Sequence, residues 1–270
     1  MTQDTTDSGT DSGAVLTFTI SQATVAQFDG IYNGMTFLCF VRTGSKRVIC
    51  PLQGELLARE GDLLVFPPES FVTLENRPLP DASYRAEGAY YSHDLVAEAY
   101  PDAQAPPHRD RVHLLRADQH DSRAMLAGIA ATLAQTGLPP AVRRHRLLEP
   151  LIWLRHHGVT LAPRADLPPA IRLRKLLDSD LARPWRSAEA AQHFAMSEPT
   201  FRRWLARSGK GFARVLHDAR LERGLALLQT TTLPIVQIAL DCGFASPSHF
   251  SESFRKRFGI PPKAIRAARD

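Results

Sequence analysis

Ala190-Ala191-Gln192-His193-Phe194-Ala195-Met196-Ser197 and Ile238-Ala239-Leu240-Asp241-Cys242-Gly243-Phe244-Ala245 are two copies of one pattern, 48 residues apart. Past one inserted residue, Phe201 and Leu205 correspond to Phe250 and Phe254, 49 residues apart. Each copy reads as a short helix, a tight turn centred on Ala195 or Gly243, and a second helix, the arrangement in which the second helix enters a major groove. Between the copies, Phe212, Val215, Leu216, Ala219 and Leu228 recur at helical intervals and predict a long helix from Phe212 to Gln229. Ile171, Leu173, Leu176, Leu177 and Leu181 line a further helix ahead of the first copy.

The faces of the second helices follow from spacing. Phe201 and Leu205 stand at i and i+4 and must face the core, which leaves Pro199, Arg202 and Arg203 outward. Either arginine has the fork that reads guanine O6 and N7 or clamps a phosphate. In the second copy Phe250, Phe254 and Phe258 form the core stripe, and Ser248, Ser251, Glu252, Arg255 and Lys256 point away. Arg255-Lys256-Arg257 reads as a phosphate-facing basic end or as a solvated cationic helix end.

Charge divides the chain in the same place. Its 270 residues carry 33 Lys+Arg and 28 Asp+Glu, a net +5. From Asp166 onward there are 18 basic and 10 acidic residues, whereas the first 165 carry 15 and 18. A basic helical half beside an acidic one favours nucleic acid as partner of the former, because Lys and Arg displace counterions from phosphates. Residues 161–168, with Pro168-Pro169 at their end, are the expected linker between residues 14–160 and 169–270.

The N-terminal half is expected to be short strands at 35–41, 46–50, 54–58, 61–67, 71–76 and 83–92, a pattern suited to an antiparallel β-barrel of cupin-like form. Residues 118–135 and 142–155 have helical periodicity and predict a hairpin through Gly137-Leu138-Pro139-Pro140, serving as a dimer face or as a lid on the barrel. Overall the expectation is an α+β, two-domain chain whose C-terminal half is all-α.

Trp185 to Arg266 resembles the DNA-binding domain of the AraC/XylS family of bacterial transcription regulators. The resemblance rests on Met196-Ser197, Phe201-Arg202-Arg203, Arg220-Leu221-Glu222-Arg223 with Leu227-Leu228, Ile235, and Ile238-Ala239. It continues through Gly243-Phe244, Ser248, Phe250, Phe254, Phe258-Gly259-Ile260-Pro261-Pro262 and Arg266. It implies two helix-turn-helix units bridged by one long helix, reading successive major grooves of promoter DNA. It also implies an activator that recruits RNA polymerase, works as a homodimer, and answers to a small-molecule effector or a regulatory protein acting on the N-terminal half. That half is similar to the family only in strand rhythm and in Gly61-Asp62-Leu63-Leu64 with Phe66-Pro67, and looks closer to regulators of virulence or stress genes than to sugar-responsive ones. Three positions depart from the family pattern. Ala195 replaces a turn glycine, Gly224 replaces an alanine inside the bridging helix at a propensity loss of about 1 kcal/mol, and Glu252 stands where an arginine is common.

Other chemistry finds little support. Cys39, Cys50 and Cys242 lack zinc or disulfide spacing and read as structural residues. His108, His113 and His120 do not form the His-x-His and carboxylate pattern of a barrel oxygenase, and no phosphate-binding or nucleophile motif occurs, so neither a catalytic residue, a cofactor nor a metal is expected. The competing class is an enzyme or ligand-binding barrel tethered to DNA. The first 13 residues, polar and acidic, are expected to be a disordered tail without a secretory signal, and no apolar run suits a membrane span, which places the chain in the cytoplasm.

Overall fold

The computed structural model describes residues 14–50, 53–101, 111–161 and 166–266. The expected tail, His108 and the middle of the expected linker lie outside them. Among the described residues, nine strands form two antiparallel sheets. β1 (Val15–Gln22), β8 (Tyr84–Tyr91), β3 (Thr36–Thr43), β6 (Leu63–Phe66) and β9 (His113–Leu115) make one, in that order; β2 (Ala26–Asn33), β7 (Ser70–Arg77), β4 (Ser45–Cys50) and β5 (Gly54–Ala58) make the other. The β-rich antiparallel half is therefore present as two sheets, and no ladder among the described residues joins them into a closed barrel. Alternation on the strands explains the packing. Phe37, Cys39 and Val41 of β3, Val48 of β4, Leu64 and Phe66 of β6 and Val72 of β7 all enter one core cluster, while Leu38 and Phe40 face the helices behind.

Those helices are α1 (His93–Ala99), α2 (Ser122–Ala134) and α3 (Pro140–His156). Asp121 caps α2 by accepting from the Ala124 N–H, and Pro140 starts α3 at the position where a missing N–H costs nothing. Leu126, Ile129, Leu147, Leu151 and Leu154 bury the hairpin against Leu38, Phe40 and Leu63. No helix among the described residues is long and apolar enough to cross a membrane.

The C-terminal half runs α4 (Pro169–Leu177), α5 (Ser187–His193), α6 (Glu198–Ala206), α7 (Phe212–Thr230), α8 (Ile235–Asp241), α9 (Pro247–Phe258) and a 3₁₀ turn at Pro262–Ile265. The internal repeat is visible in the backbone. The Met196 N–H donates to the Ala191 carbonyl at 2.9 Å, and the Phe244 N–H donates to the Ala239 carbonyl at 2.9 Å, so both copies close with the same wide turn. Ala195 has φ 52° and Gly243 φ 75°, so the alanine occupies left-handed backbone that favours glycine. Ser197 and Ser246 cap α6 and α9 through the N–H groups of Thr200 and His249.

At Gly224 close packing opposes the helix propensity that by itself argues for alanine. A Cβ there would lie 2.6 Å from Cε2 of Phe250, so the missing methyl is what lets α9 seat its buried ring against α7.

Candidate nucleic-acid interface and the cavity behind it

α6 buries Phe201 and Leu205 and exposes Pro199, Arg202 and Arg203, matching the predicted faces. Arg202 reaches Glu198 one turn back at 3.7 Å and is 78% exposed, so that pair holds it loosely. Arg203 approaches the Thr200 hydroxyl at 3.5 Å. On α9, Phe250, Phe254 and Phe258 are buried, Ser248, Glu252, Arg255 and Lys256 are exposed, and Ser251 is half-buried. Arg257 differs from the expected basic end. It is half-buried, donates to the Asp29 carbonyl of β2 at 2.5 Å and lies 3.7 Å from the Asp218 carboxylate, so it faces protein instead of solvent.

α7 carries two buried carboxylates one turn apart, Asp218 and Glu222. Glu222 pairs with Arg174 of α4 at 2.6 Å, and Arg174 also holds Asp178 and lies over the Tyr32 ring. Burial pushes the Glu222 carboxyl above its ordinary range, and the Arg174 guanidinium opposes that shift. Opposite them, β2 supplies Phe28, whose ring meets Phe258 edge-on at 5.5 Å. Phe28 and Ala26 thereby enter the same core as Leu221, Phe250 and Phe254. A second bridge joins Glu69, a buried residue of φ 57°, to Lys175 of α4 at 2.6 Å and to His93 of α1 at 3.4 Å. Burial works to raise the Glu69 carboxyl, but hydrogen bonds from His93 and Lys175 prevail and hold it down at about 2.

Between the sheets and α7 lies a cavity of about 600 Å³. Phe18, Phe37, Phe66 and Tyr90 form an aromatic wall, Tyr32 of β2 lines the cavity as well, and Arg174, Glu222 and Arg223 close the helical side. Lys46 also lines it, 2% exposed, with its ammonium 2.7 Å from the Asn76 amide oxygen. The Asn76 amide donates to Gln22 at 2.9 Å, and Gln229 of α7 donates to the same oxygen at 2.8 Å. Among the described residues no carboxylate lies within ion-pair distance of Lys46, and burial pushes its ammonium below the ordinary lysine range. Its neighbours are the Asn76 oxygen and the Tyr84 ring, 5.4 Å to the centroid, and an anionic guest would favour its charged form. Sequence reasoning missed it, although Lys46 shares parity with the inward Val48 and Cys50 on β4, which is a readable signal. The three cysteines are buried and none of them forms a disulfide with another, as their apolar surroundings suggest. No cluster of three potential metal ligands occurs among the described residues.

The two helix pairs on one bridging helix define a helix-turn-helix protein, and residues 190–268 match the helix-turn-helix domain family. That segment is an AraC-type domain, as its residues suggested, and its relatives are AraC-family transcriptional regulators. The transcriptional regulator SirC of Salmonella typhimurium is 34% identical over 91 residues, covering 34% of this chain and 31% of its own length. The regulator ArgR of Pseudomonas aeruginosa is 29% identical over 207 residues, covering 69% and 59%. The chain thus spans about a third of SirC and 59% of ArgR, less than two thirds of either. In fold it is similar to ToxT from Vibrio cholerae O395, with a TM-score of 0.63 at 17% identity over 93% of this chain and 96% of that one. An unsaturated fatty acid-bound ToxT from strain SCE256 gives 0.60 at 17% identity over 92% of each.

Proposed function

We propose that this protein is a sequence-specific DNA-binding transcription regulator whose N-terminal half takes an apolar small-molecule acid. One observation carries the reading: two repeated helix pairs on a single 19-residue helix each present a second helix with a buried apolar stripe, Phe201 and Leu205 in one and Phe250, Phe254 and Phe258 in the other, and an exposed polar face. Major grooves on one face of a duplex recur every 34 to 36 Å or so, and one rigid helix suits that separation. Pro199, Arg202 and Arg203 of α6 and Ser248, Ser251, Glu252, Arg255 and Lys256 of α9 are the proposed contacts. Activation through RNA polymerase, dimerisation through α2 and α3, and a cytoplasmic location complete the reading, with residues 14–160 and 169–270 as its two domains.

The acid would sit in the cavity with its carboxylate on Lys46 and its chain along the aromatic wall. The buried Lys46, with no carboxylate at ion-pair distance among the described residues, supports this, as does the fatty acid held by the ToxT structure of similar fold. Selection of duplexes from random DNA by the full chain, followed by Arg202→Ala and Arg203→Ala, tests the regulator. A base-reading arginine should lose roughly 1 to 3 kcal/mol and relax one position, whereas a phosphate contact should weaken all sequences alike. Recovery of no preferred sequence would defeat the reading. Calorimetric titration with oleate should give stoichiometric binding that Lys46→Met weakens; undiminished binding by that variant would remove Lys46 as the anchor.

A further inference from the structure

We infer that Asp218 is a positioning residue that sets the separation of the two recognition helices while touching no DNA itself; the inference rests on the regulator reading above. Its carboxylate is 4% exposed. From the first unit it receives Lys210, in the loop after α6, at 3.3 Å, and Arg214 of its own helix at 3.1 Å. From the second it faces Arg257, near the end of α9, at 3.7 Å. Asp218 is therefore the charge through which the loop leaving α6 and the C-terminal turn of α9 meet.

Its surroundings give this contact leverage. Glu222, one turn on, fastens α4 to α7 through Arg174, so the first unit is held at two points along the bridge. The outer end of α9 has the Arg257 charge and the Phe258 ring, and both contact β2, at Asp29 and Phe28. Removing the Asp218 charge leaves Arg257 held chiefly by the Asp29 carbonyl of β2, with Glu222 as its remaining carboxylate neighbour on α7, and leaves Lys210 without its carboxylate. α9 can then rotate about its Phe250 seat on α7, and the exposed face of α9 shifts along the groove. Two helices in successive grooves tolerate such a shift poorly, because a change of one base pair alters both distance and azimuth.

The test uses the full chain and the duplex it selects from random DNA, together with duplexes lengthened or shortened by one base pair between the two protected segments. Wild type should lose on the order of 30-fold or more in Kd when spacing changes, and Asp218→Asn should weaken binding to the selected duplex by about 10-fold while cutting the spacing penalty to about 3-fold. Arg257→Gln should reproduce that flattened profile, Arg257→Lys should keep most of the wild-type spacing penalty, and the double variant should be no worse than either single one. A spacing penalty of undiminished size in Asp218→Asn or Arg257→Gln, whatever the absolute affinity or melting temperature, would overturn the inference. Should wild type itself select no sequence, the regulator reading fails first and this inference falls with it.

Discussion

Replacing Gly224 by alanine opposes two effects of known size. In an exposed helix the change gains about 1 kcal/mol of helix propensity. Here the new methyl would stand 2.6 Å from Cε2 and 2.8 Å from Cζ of Phe250, where carbon contacts normally sit at roughly 3.5 to 4.0 Å. The ring would have to retreat by about 1 Å. It has no exposed surface, and the Phe244 and Phe254 rings lie 5.2 and 5.6 Å away, centroid to centroid. Overpacking a filled core costs about 1 to 3 kcal/mol, so the net expectation is a destabilisation of up to about 2 kcal/mol. For a chain of this size that lowers the melting temperature by up to several degrees. Thermal melts of the full chain followed by circular dichroism measure it, and duplex selectivity should fall as well, because Phe250 seats α9. Adding Phe250→Leu should recover part of the loss. If Gly224→Ala melts higher than wild type, the clash argument is wrong and the glycine is only a weak spot in the helix.

Ala195→Gly should raise stability by up to about 1 kcal/mol in urea melts, since relief of left-handed strain is partly offset by added freedom in the unfolded chain. Gly243→Ala should instead be strongly destabilising, because its Cβ would meet the Leu181 carbonyl oxygen at 2.7 Å; equal behaviour at the two turns would refute their assigned geometry. Glu252→Arg should tighten binding to all DNA and steepen its salt dependence if the carboxylate acts as an electrostatic brake, whereas loss of operator affinity alone would assign it to a cytosine. Burial, together with Arg111, lowers the His113 imidazole to about 4, against a weaker opposing bond from the Thr160 backbone. The unfolded chain therefore binds the extra proton first, so this contribution to stability is complete above about pH 6.5 and is lost as pH falls toward 4. Urea midpoints should fall across that window, and His113→Gln should flatten the fall; an unchanged slope in the variant would reject the assignment.

The C-terminal half was legible because its signals are local and repeated. Phe201 with Leu205, and Phe250 with Phe254 and Phe258, mark their faces within single helices. β3 to β8 were legible for similar reasons. β1 escaped because it lies at a sheet edge with Leu16, Thr17 and Thr19 turned outward, and β2 because the register slip between Phe28 and Ile31 breaks its alternation. β9 is only three residues long. The two-sheet arrangement depends on pairings such as β1 with β8 and β2 with β7, which local periodicity does not encode. For the same reason the outward faces of α6 and α9 could be read from spacing, whereas the role of Arg257 could not. Its partners, Asp29 and Asp218, come from strand β2 and helix α7, and no spacing rule brings the three together.

The place of β2 in the C-terminal core bears on how such chains can be recombined. Phe28 and Ala26 complete a core that otherwise belongs to α7, α8 and α9, so the natural unit of inheritance for the second helix pair includes a strand some two hundred residues upstream. A chimera cut at Pro168 and joined to an unrelated sensor would carry its reading helices intact yet leave Phe258 bare. Grafts that transplant the β2 segment Ala26 to Ile31 along with residues 169–270 should be the ones that stay soluble.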